Sequence, residues 1–393
     1  MQLLLDDVRE QPTTMSTQPP TLERREMFAE IKRLCTPNNY SNWWHIGREY
    51  AVLTATIAGT VWAYNYLQAQ GQSLFWMAPI YALAVFIIGA GVQNRLSVLV
   101  HEASHYSLFK NRTLNDVAAN WFLLFPVFGA IANYRIGHWG HHRHVNDPER
   151  DPDLHRLIRH QARDFPIPKW KFALDYVLKQ LMLHKAISYL KGRAMYVAVA
   201  MKMEPVQGQD LLGPRVVGGL RIAYYSLLLG SLYLLGWPGL VGYMLFWIVP
   251  LLTFYPAVLF LREIAHHGNY PDSGDFTNSR VYKARWLERE IFFTFGEHNH
   301  VLHHMFPTIP HHRMDSAHDV MMRYAPYRDT VVTCNGFFMK ADPRSDEPTV
   351  LDILAAPADR YARGNRLPQA TQSDIRRSTE TEVGGFGEQP LAN

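Results

Sequence analysis

Four long stretches of this chain contain no Asp, Glu, Lys or Arg: Ala51–Leu67, Leu74–Val92, Ile222–Gly236 and Leu240–Leu261. A helix needs about 20 largely apolar residues to cross the ~30 Å of hydrocarbon in a bilayer. Each stretch approaches that length, the third being the shortest. They pair as two hairpins, joined by Gln68–Ser73 and by Trp237-Pro238-Gly239, and neither connection holds a charge. All 39 Lys and Arg lie outside the four stretches, with Arg9, Arg24, Arg25, Lys32, Arg33 and Arg48 before Tyr50 and a further basic region after Leu261. Cytoplasmic flanks of membrane helices are enriched in Lys and Arg. Both termini and the large middle segment are therefore expected in the cytoplasm. A soluble protein with four buried core helices is the alternative, and it gives no reason for that distribution of charge. The expected fold class is all-α: a polytopic membrane protein with four transmembrane helices and a cytosolic, histidine-rich helical cap.

The apolar stretch Val117–Ala132 carries Pro126 and Gly129 near its centre, which disfavours a straight span. It is read as re-entrant or interfacial, because a crossing here would put the histidines before and after it on opposite sides of the membrane. Leu154–Val217 mixes Lys169, Lys171, Lys179, Lys185, Lys191 and Arg193 with apolar residues. It is expected to form cytosolic helices, some lying on the lipid surface or simply solvated along one face. The domain reading is a cytosolic N-terminal segment (1–48), a membrane domain with its cap (49–318), a cytosolic C-terminal region (319–362) and a disordered tail (363–393). The opening MQLLLDDVRE has an acidic flank and no cleavage site after it, so it does not read as a secretory signal. Residues 1–20 are polar and rich in Pro and Thr, and are expected to be mobile.

Charged residues make up only 19% of the chain, below the roughly 25% of soluble domains, and the net charge of +4 does not point to a polyanionic partner. The two cysteines, Cys35 and Cys334, exclude a disulfide scaffold, a four-cysteine zinc site and a cysteine-held iron–sulfur cluster. Histidine is the anomaly, with 19 residues that cluster. His101-Glu102-Ala103-Ser104-His105 follows the second stretch, and His138-Trp139-Gly140-His141-His142 follows the re-entrant segment. His266-His267 follows the fourth stretch, and His300-Val301-Leu302-His303-His304 comes later. Residues i, i+3 and i+4 share one helix face, so each box aims two or three imidazoles at one point. Neutral imidazole is the commonest transition-metal ligand near neutral pH. His45, His155, His160, His184 and His318 stand alone and are read as ordinary core or surface residues.

On this topology all four clusters share the cytosolic face. His101, His105, His138, His141, His142, His267, His300, His303 and His304 are too many for one tetrahedral zinc and suit two metals with open positions. A nearly carboxylate-free, all-imidazole set suggests iron and O2. Breaking an unactivated C–H bond needs an oxidant that no side chain supplies.

HEASH, HWGHH and HVLHH, with a further histidine after the last span, resemble the boxes of the membrane fatty acid desaturase/hydroxylase superfamily of non-haem di-iron enzymes. The resemblance runs from about Ala51 to Met314. It includes NRTLND after the first box, NDPERDPDL after the second, LREIAHHG at Leu261–Gly268 and the ending HHMFPTIP. It implies a mushroom-like helical membrane domain with a cytosolic cap, in which the nine histidines named above hold two Fe ions. It also implies an O2-dependent desaturase or hydroxylase acting on an acyl-chain or other lipid-like substrate at the cytosolic face. The membrane implied is the bacterial inner membrane in preference to the endoplasmic reticulum. His266 stands where many relatives carry Glu, and His298 where many carry Asn. Both, with Glu102, are expected to support the ligands or control access and not to bind metal, Glu102 by accepting a hydrogen bond from an imidazole.

HEASH also satisfies the HExxH motif of zinc proteases, so an intramembrane zinc metalloprotease is a rival. It leaves six or more clustered histidines idle. A His-rich metal transporter is another, but it would place ligands inside the spans, and the four stretches contain no histidine. The chain holds no haem-binding HPGG, no GxGxxG opening a helix and no Cys-His pair for a Rieske cluster, so electrons are expected from a separate donor such as ferredoxin or cytochrome b5. The arginines Arg143, Arg150, Arg156, Arg159 and Arg163 offer a docking face for an acidic partner or for lipid headgroups. No nucleic acid partner is expected. Tyr106, Phe109, Trp121, Tyr134 and Trp139 are candidate walls of a substrate tunnel, or ordinary interfacial packing.

Overall fold

The computed structural model describes residues 22–147, 150–153, 165–200, 211–269 and 276–361. The expectations for residues 1–20, for the tail, and for His155, Arg156, Arg159, His160 and Arg163 fall outside the described residues. Helices dominate. α1 (Arg24–Leu34) lies in the cap, and α2 (Ser41–Ala69) and α3 (Leu74–Ser104) form the first hairpin. α4 (Arg112–Val127) and α5 (Ile131–Arg143) form a bent pair, and α6 (Leu183–Ala200) packs on α5. α7 (Pro214–His267) contains both later apolar stretches. Its two arms meet at Gly236, with φ 61° and ψ −153°. That conformation belongs to glycine, and Pro238 just beyond it cannot donate to the helix ladder.

Among the described residues, α3 and α7 are long and apolar enough to cross a membrane, and the pair α4–α5 makes a third candidate if it is one bent span. The expected count of four differs for two physical reasons. Two of the expected stretches are joined in α7, and the end of α2 is diluted by Tyr64, Asn65, Tyr66 and Gln68. α4 and α5 meet at 91°. Phe128 turns the corner in the left-handed region, and the side chain of Asn120 accepts the Ile131 N–H at 3.0 Å to start α5.

The interior beneath the site is tied by apolar packing and a few buried polar bonds. Val92, Leu96, Leu99 and Ala103 of α3 pack with Ala118, Ala119 and Leu123 of α4 and with Trp247 of α7. Gln93 Nε2 donates to the Trp247 carbonyl at 2.9 Å, and Trp247 Nε1 donates to the Pro126 carbonyl at 2.8 Å. Such bonds fix helix register where water is scarce. Glu49 of α2 is fully buried and accepts from Arg95 Nε of α3 at 2.8 Å.

The C-terminal part closes over the end of this bundle. It departs from the all-α expectation in one small way: β1 (Val281–Lys283) and β2 (Thr333–Asn335) pair in parallel, Tyr282 opposite Cys334. Three residues are too few to show a period of two in the sequence. α8 (Trp286–Phe292), α9 (His300–Met305), α10 (Met314–Met322) and α11 (Val350–Leu354) complete the cap. α9 turns Val301, Leu302 and Met305 into a core with Met27 and Ile31 of α1 and Met314, Ala317 and Met321 of α10. Its opposite face carries His300, His303 and His304.

Candidate metal centre

Four segments deliver imidazoles to one place. The last turn of α3 carries His101 and its C-cap is His105, α5 carries His138, His141 and His142, the end of α7 carries His267, and α9 carries the rest. In the first nest, His105 Nε2 and His138 Nε2 are 2.8 Å apart, His138 and His142 Nε2 3.1 Å, and His142 and His303 Nε2 3.0 Å. The His101 ring lies 4.0 Å from that of His303 and 4.5 Å from that of His138. One nitrogen from each of these five residues lies within 4.8 Å of all the others. The second nest abuts it. The Nε2 atoms of His267, His300 and His304 form a triangle of 3.2–3.3 Å sides. The His141 ring lies 4.7 Å from His267 and 5.0 Å from His304. His142 and His304 touch across the boundary with ring centroids 4.5 Å apart. The structure thus brings together all nine histidines expected to bind metal. It also joins the boxes before and after the bent pair, so α4 and α5 leave the site and return to it.

Carboxylates that the boxes do not contain hold the rings. Glu297 is buried, with its oxygens 3.0 Å from His101 Nδ1, 3.1 Å from His266 Nε2 and 3.3 Å from His300 Nδ1. Burial works against its charge, yet the imidazoles of His101 and His300 hold it well below the ordinary carboxylate range. Asp151 accepts from His141 Nδ1 at 2.9 and 3.0 Å and also takes the backbone N–H of Asn146 and of Asp153. Arg135 of α5 pairs with Asp116 of α4 at 2.6 Å, both buried, and donates to the carbonyls of Ser104 and Ala103. That clamp fixes the end of α3, which bears the first box, against the helix that bears the second. Asp116 and Asp151 lie in NRTLND and NDPERDPDL, so the signal for both was present beside the boxes. Glu297 had none, because it lies in the turn before α9 and is brought to the nests by the fold of that turn.

Three expected supporting residues fare differently. His266 stacks on His300 at 3.8 Å between ring centroids, with Nδ1 3.2 Å from the Tyr282 hydroxyl. Glu102 does not reach an imidazole among the described contacts; its Oε2 accepts the backbone N–H of His311 at 2.9 Å. The i and i+4 positions of HEASH face the nests, and i+1 points elsewhere. His298 Nε2 turns to Asp315 and lies 3.3 Å from Arg289, and among the described contacts it reaches none of the nine histidines. Of the five candidate tunnel aromatics, Tyr134 stacks on His138 and lines a cavity beside the nests. Trp139 packs on His105, Tyr106 lies under Arg135, Phe109 meets Trp43 and Trp121 meets Tyr224. On the expected docking face, Arg143 is exposed and Arg150 pairs with Asp147.

The donor set fits bound metal. Burial works against a charge on His141, but the Asp151 carboxylate at Nδ1 outweighs it and raises the imidazole to about 9; a metal would take the Nε2 position in place of that proton. Burial pushes His300 down to about 3 and holds His303 and His304 well below the usual imidazole range, so they are neutral. Each neutral ring has one proton to place. A ring whose proton is held at Nδ1 by a carboxylate presents its Nε2 lone pair to the nest, and a cation there would accept it. The turning of Glu102 away from the nests also leaves HEASH without the carboxylate that a zinc protease requires at its metal.

The profile described as "Fatty acid desaturase" matches residues 75–335, most of the chain. The chain belongs to the fatty acid desaturase family. It is accordingly an oxidoreductase of the desaturase type. It is 29% identical over 333 residues to dihydrorhizobitoxine desaturase of Bradyrhizobium elkanii, covering 84% of this chain and 88% of that one. The sn-1 oleoyl-lipid 12-desaturase of Anabaena variabilis is 20% identical, over 76% of this chain and 81% of its own. The sn-1 acyl-lipid omega-3 desaturase (ferredoxin) of Nostoc sp. (strain 36) is 24% identical, over 61% and 64%. The matched region begins at the start of α3 and ends with β2, so it holds every histidine of the two nests.

Proposed function

We propose that this protein is an O2-dependent di-iron desaturase, or hydroxylase, of an acyl-chain or other lipid-like substrate, working at the cytosolic face of the membrane. The convergence of nine imidazoles into two abutting nests carries the reading. Two irons held there, by His101, His105, His138, His142 and His303 and by His141, His267, His300 and His304, would supply the oxidant that a C–H bond demands. For desaturation the balance is one –CH2–CH2– unit, O2, two electrons and two protons giving one –CH=CH– unit and two waters. Glu297 and Asp151 orient ligand rings, and the Arg135–Asp116 clamp keeps the boxes in register. Tyr134, stacked on His138, forms the wall along which a substrate carbon approaches.

Membrane residence is supported by α3 and α7 and by the apolar surface on the turns around Lys169–Leu181, where Trp170, Leu174, Leu178 and Leu181 are exposed. In the four-span reading, α2, α3 and the two arms of α7 cross, and α4–α5 enters and returns. The bacterial relatives favour an inner membrane, and the relative named for ferredoxin favours that donor, with cytochrome b5 as the other candidate. Lipid access is supported by an apolar cavity of about 400 Å³ between α2 and α7, bounded by Leu53, Ile57, Phe246 and Trp247. The test supplies purified, iron-loaded chain with ferredoxin, ferredoxin reductase and NADPH, and follows O2 uptake and products by mass spectrometry. Reductant-dependent loss of two hydrogens, or gain of one oxygen, is expected. Metal-loaded protein that turns over no acyl, lipid-like or carrier-bound substrate would overturn the substrate assignment.

A further inference from the structure

The cavity beside the nests, about 300 Å³, lies at the lower end of the ~300–1,000 Å³ range of small-molecule sites. Val100, next to His101, and Tyr134, stacked on His138, form its metal side. Asp153, 4.0 Å from His141 Nδ1, belongs to that side too, as does Glu263, one turn before His267. Its far wall is the corner between α4 and α5, where Val127, Phe128 and Gly129 meet Arg221 of α7. Arg221 Nη2 donates to the Gly129 carbonyl at 3.2 Å, while its Nε is buried with no hydrogen-bond partner among the described residues. Arg262 lines the same space. It is only 6% exposed and its Nε is also unpartnered, although it lies 3.9 Å from Glu263 and 3.4 Å from the Asn94 side chain. α6 covers the cavity. Its close approach is allowed by Gly137, where a Cβ would fall 2.3 Å from the Tyr196 hydroxyl.

A buried guanidinium N–H without an acceptor is costly, and methylenes or an ester cannot meet its charge. A carboxylate can, because its two oxygens match the planar fork of arginine. Arg262 has Glu263 beside it. Arg221 lies over the Phe125 ring and has a backbone carbonyl and an unmet donor, at the corner between α4 and α5. We propose that this cavity takes a compact, unesterified substrate whose carboxylate seats on Arg221, with a short apolar stem running past Leu123 and Leu124 to Tyr134 and the nests. This rests on the desaturase reading and narrows its substrate class.

The test uses the full chain, iron-loaded, in phosphatidylcholine nanodiscs, with octanoate and methyl octanoate as calorimetric probes. Octanoate is expected to bind at least about tenfold more tightly than its ester, the worth of one charge-assisted hydrogen bond. Arg221→Gln should erase that preference and Arg221→Lys should keep part of it. Equal binding of acid and ester to the unaltered protein overturns the proposal, and this arm stands even if the Gln variant does not fold. A preference that survives in folded Arg221→Gln also overturns it. Discs containing phosphatidylglycerol provide the remaining arm: weaker octanoate binding there would make a lipid phosphate the occupant and overturn the substrate assignment, and unchanged binding supports it. Iron is counted on the same samples. Two irons without an acid preference sinks this proposal alone, whereas an acid preference without iron sinks the desaturase reading and leaves the anion site.

Discussion

Glu297→Gln tests how the two nests are held together. The carboxylate stands within 3.0–3.3 Å of nitrogens on His101, His266 and His300, so it serves a ligand of each nest and the ring stacked against one of them. Glutamine keeps the volume but has one acceptor oxygen, and its NH2 must then face an imidazole that also needs to donate. Loss of a carboxylate behind a metal-bound histidine typically costs ten- to hundredfold in metal affinity, about 1.4–2.8 kcal/mol. Because one carboxylate serves both nests, iron should become easier to remove from both. The assay is iron retained, by elemental mass spectrometry, across a series of chelator concentrations. The midpoint should fall at least about tenfold in Glu297→Gln and stay unchanged in Glu102→Gln, whose carboxylate faces the His311 N–H. Equal midpoints for Glu297→Gln and the unaltered protein would refute the assigned role, and a shift of similar size in Glu102→Gln would show that any buried charge in this region has that effect.

Three further outcomes follow from the same geometry. His303→Ala should lose iron from the first nest, whereas His266→Ala should keep most of it and alter rate or substrate choice; equal iron loss in the two variants, by elemental analysis, contradicts the division between ligand and supporting ring. Asp116→Ala removes the carboxylate that pairs with buried Arg135 at 2.6 Å, so the thermal midpoint in detergent should fall, and an unchanged midpoint would show that the clamp contributes nothing. Single cysteines at Lys110 and Arg143, in a background with Cys35 and Cys334 replaced by serine, should be labelled from one side of the membrane and cysteines at Gln72 and Trp237 from the other; labelling of Lys110 and Arg143 from opposite sides would rule out a bent pair that enters and returns.

The histidine boxes were legible because helical spacing alone converts HxxxH and HxxHH into faces, and the structure assembles those faces. The supporting carboxylates were legible only in part. Glu102 drew attention by adjacency, but i+1 on a helix lies about 100° around from i. Asp151 lies in the NDPERDPDL segment beside the second box, whereas Glu297 acts through contacts that depend on how the turn before α9 folds back, which no local pattern encodes. Apolar length marked α3 and α7 as long enough to cross a membrane, and Pro126 with Gly129 marked the bend between α4 and α5. The β1–β2 pair and the polar cavity wall were invisible for a common reason: each joins residues far apart in sequence, Val281 with Thr333 and Gly129 with Arg221. Arg221, in particular, reads in the sequence as one more basic residue flanking a span.

The most direct test of the account is the metal content of the purified full-length chain, expressed with both iron and zinc available. The two nests predict two irons per chain, with ⁵⁷Fe Mössbauer spectra showing iron in nitrogen-rich surroundings, and a drop in iron for both His303→Ala and His304→Ala, one from each nest. A single zinc per chain, or iron content indifferent to both substitutions, would contradict it.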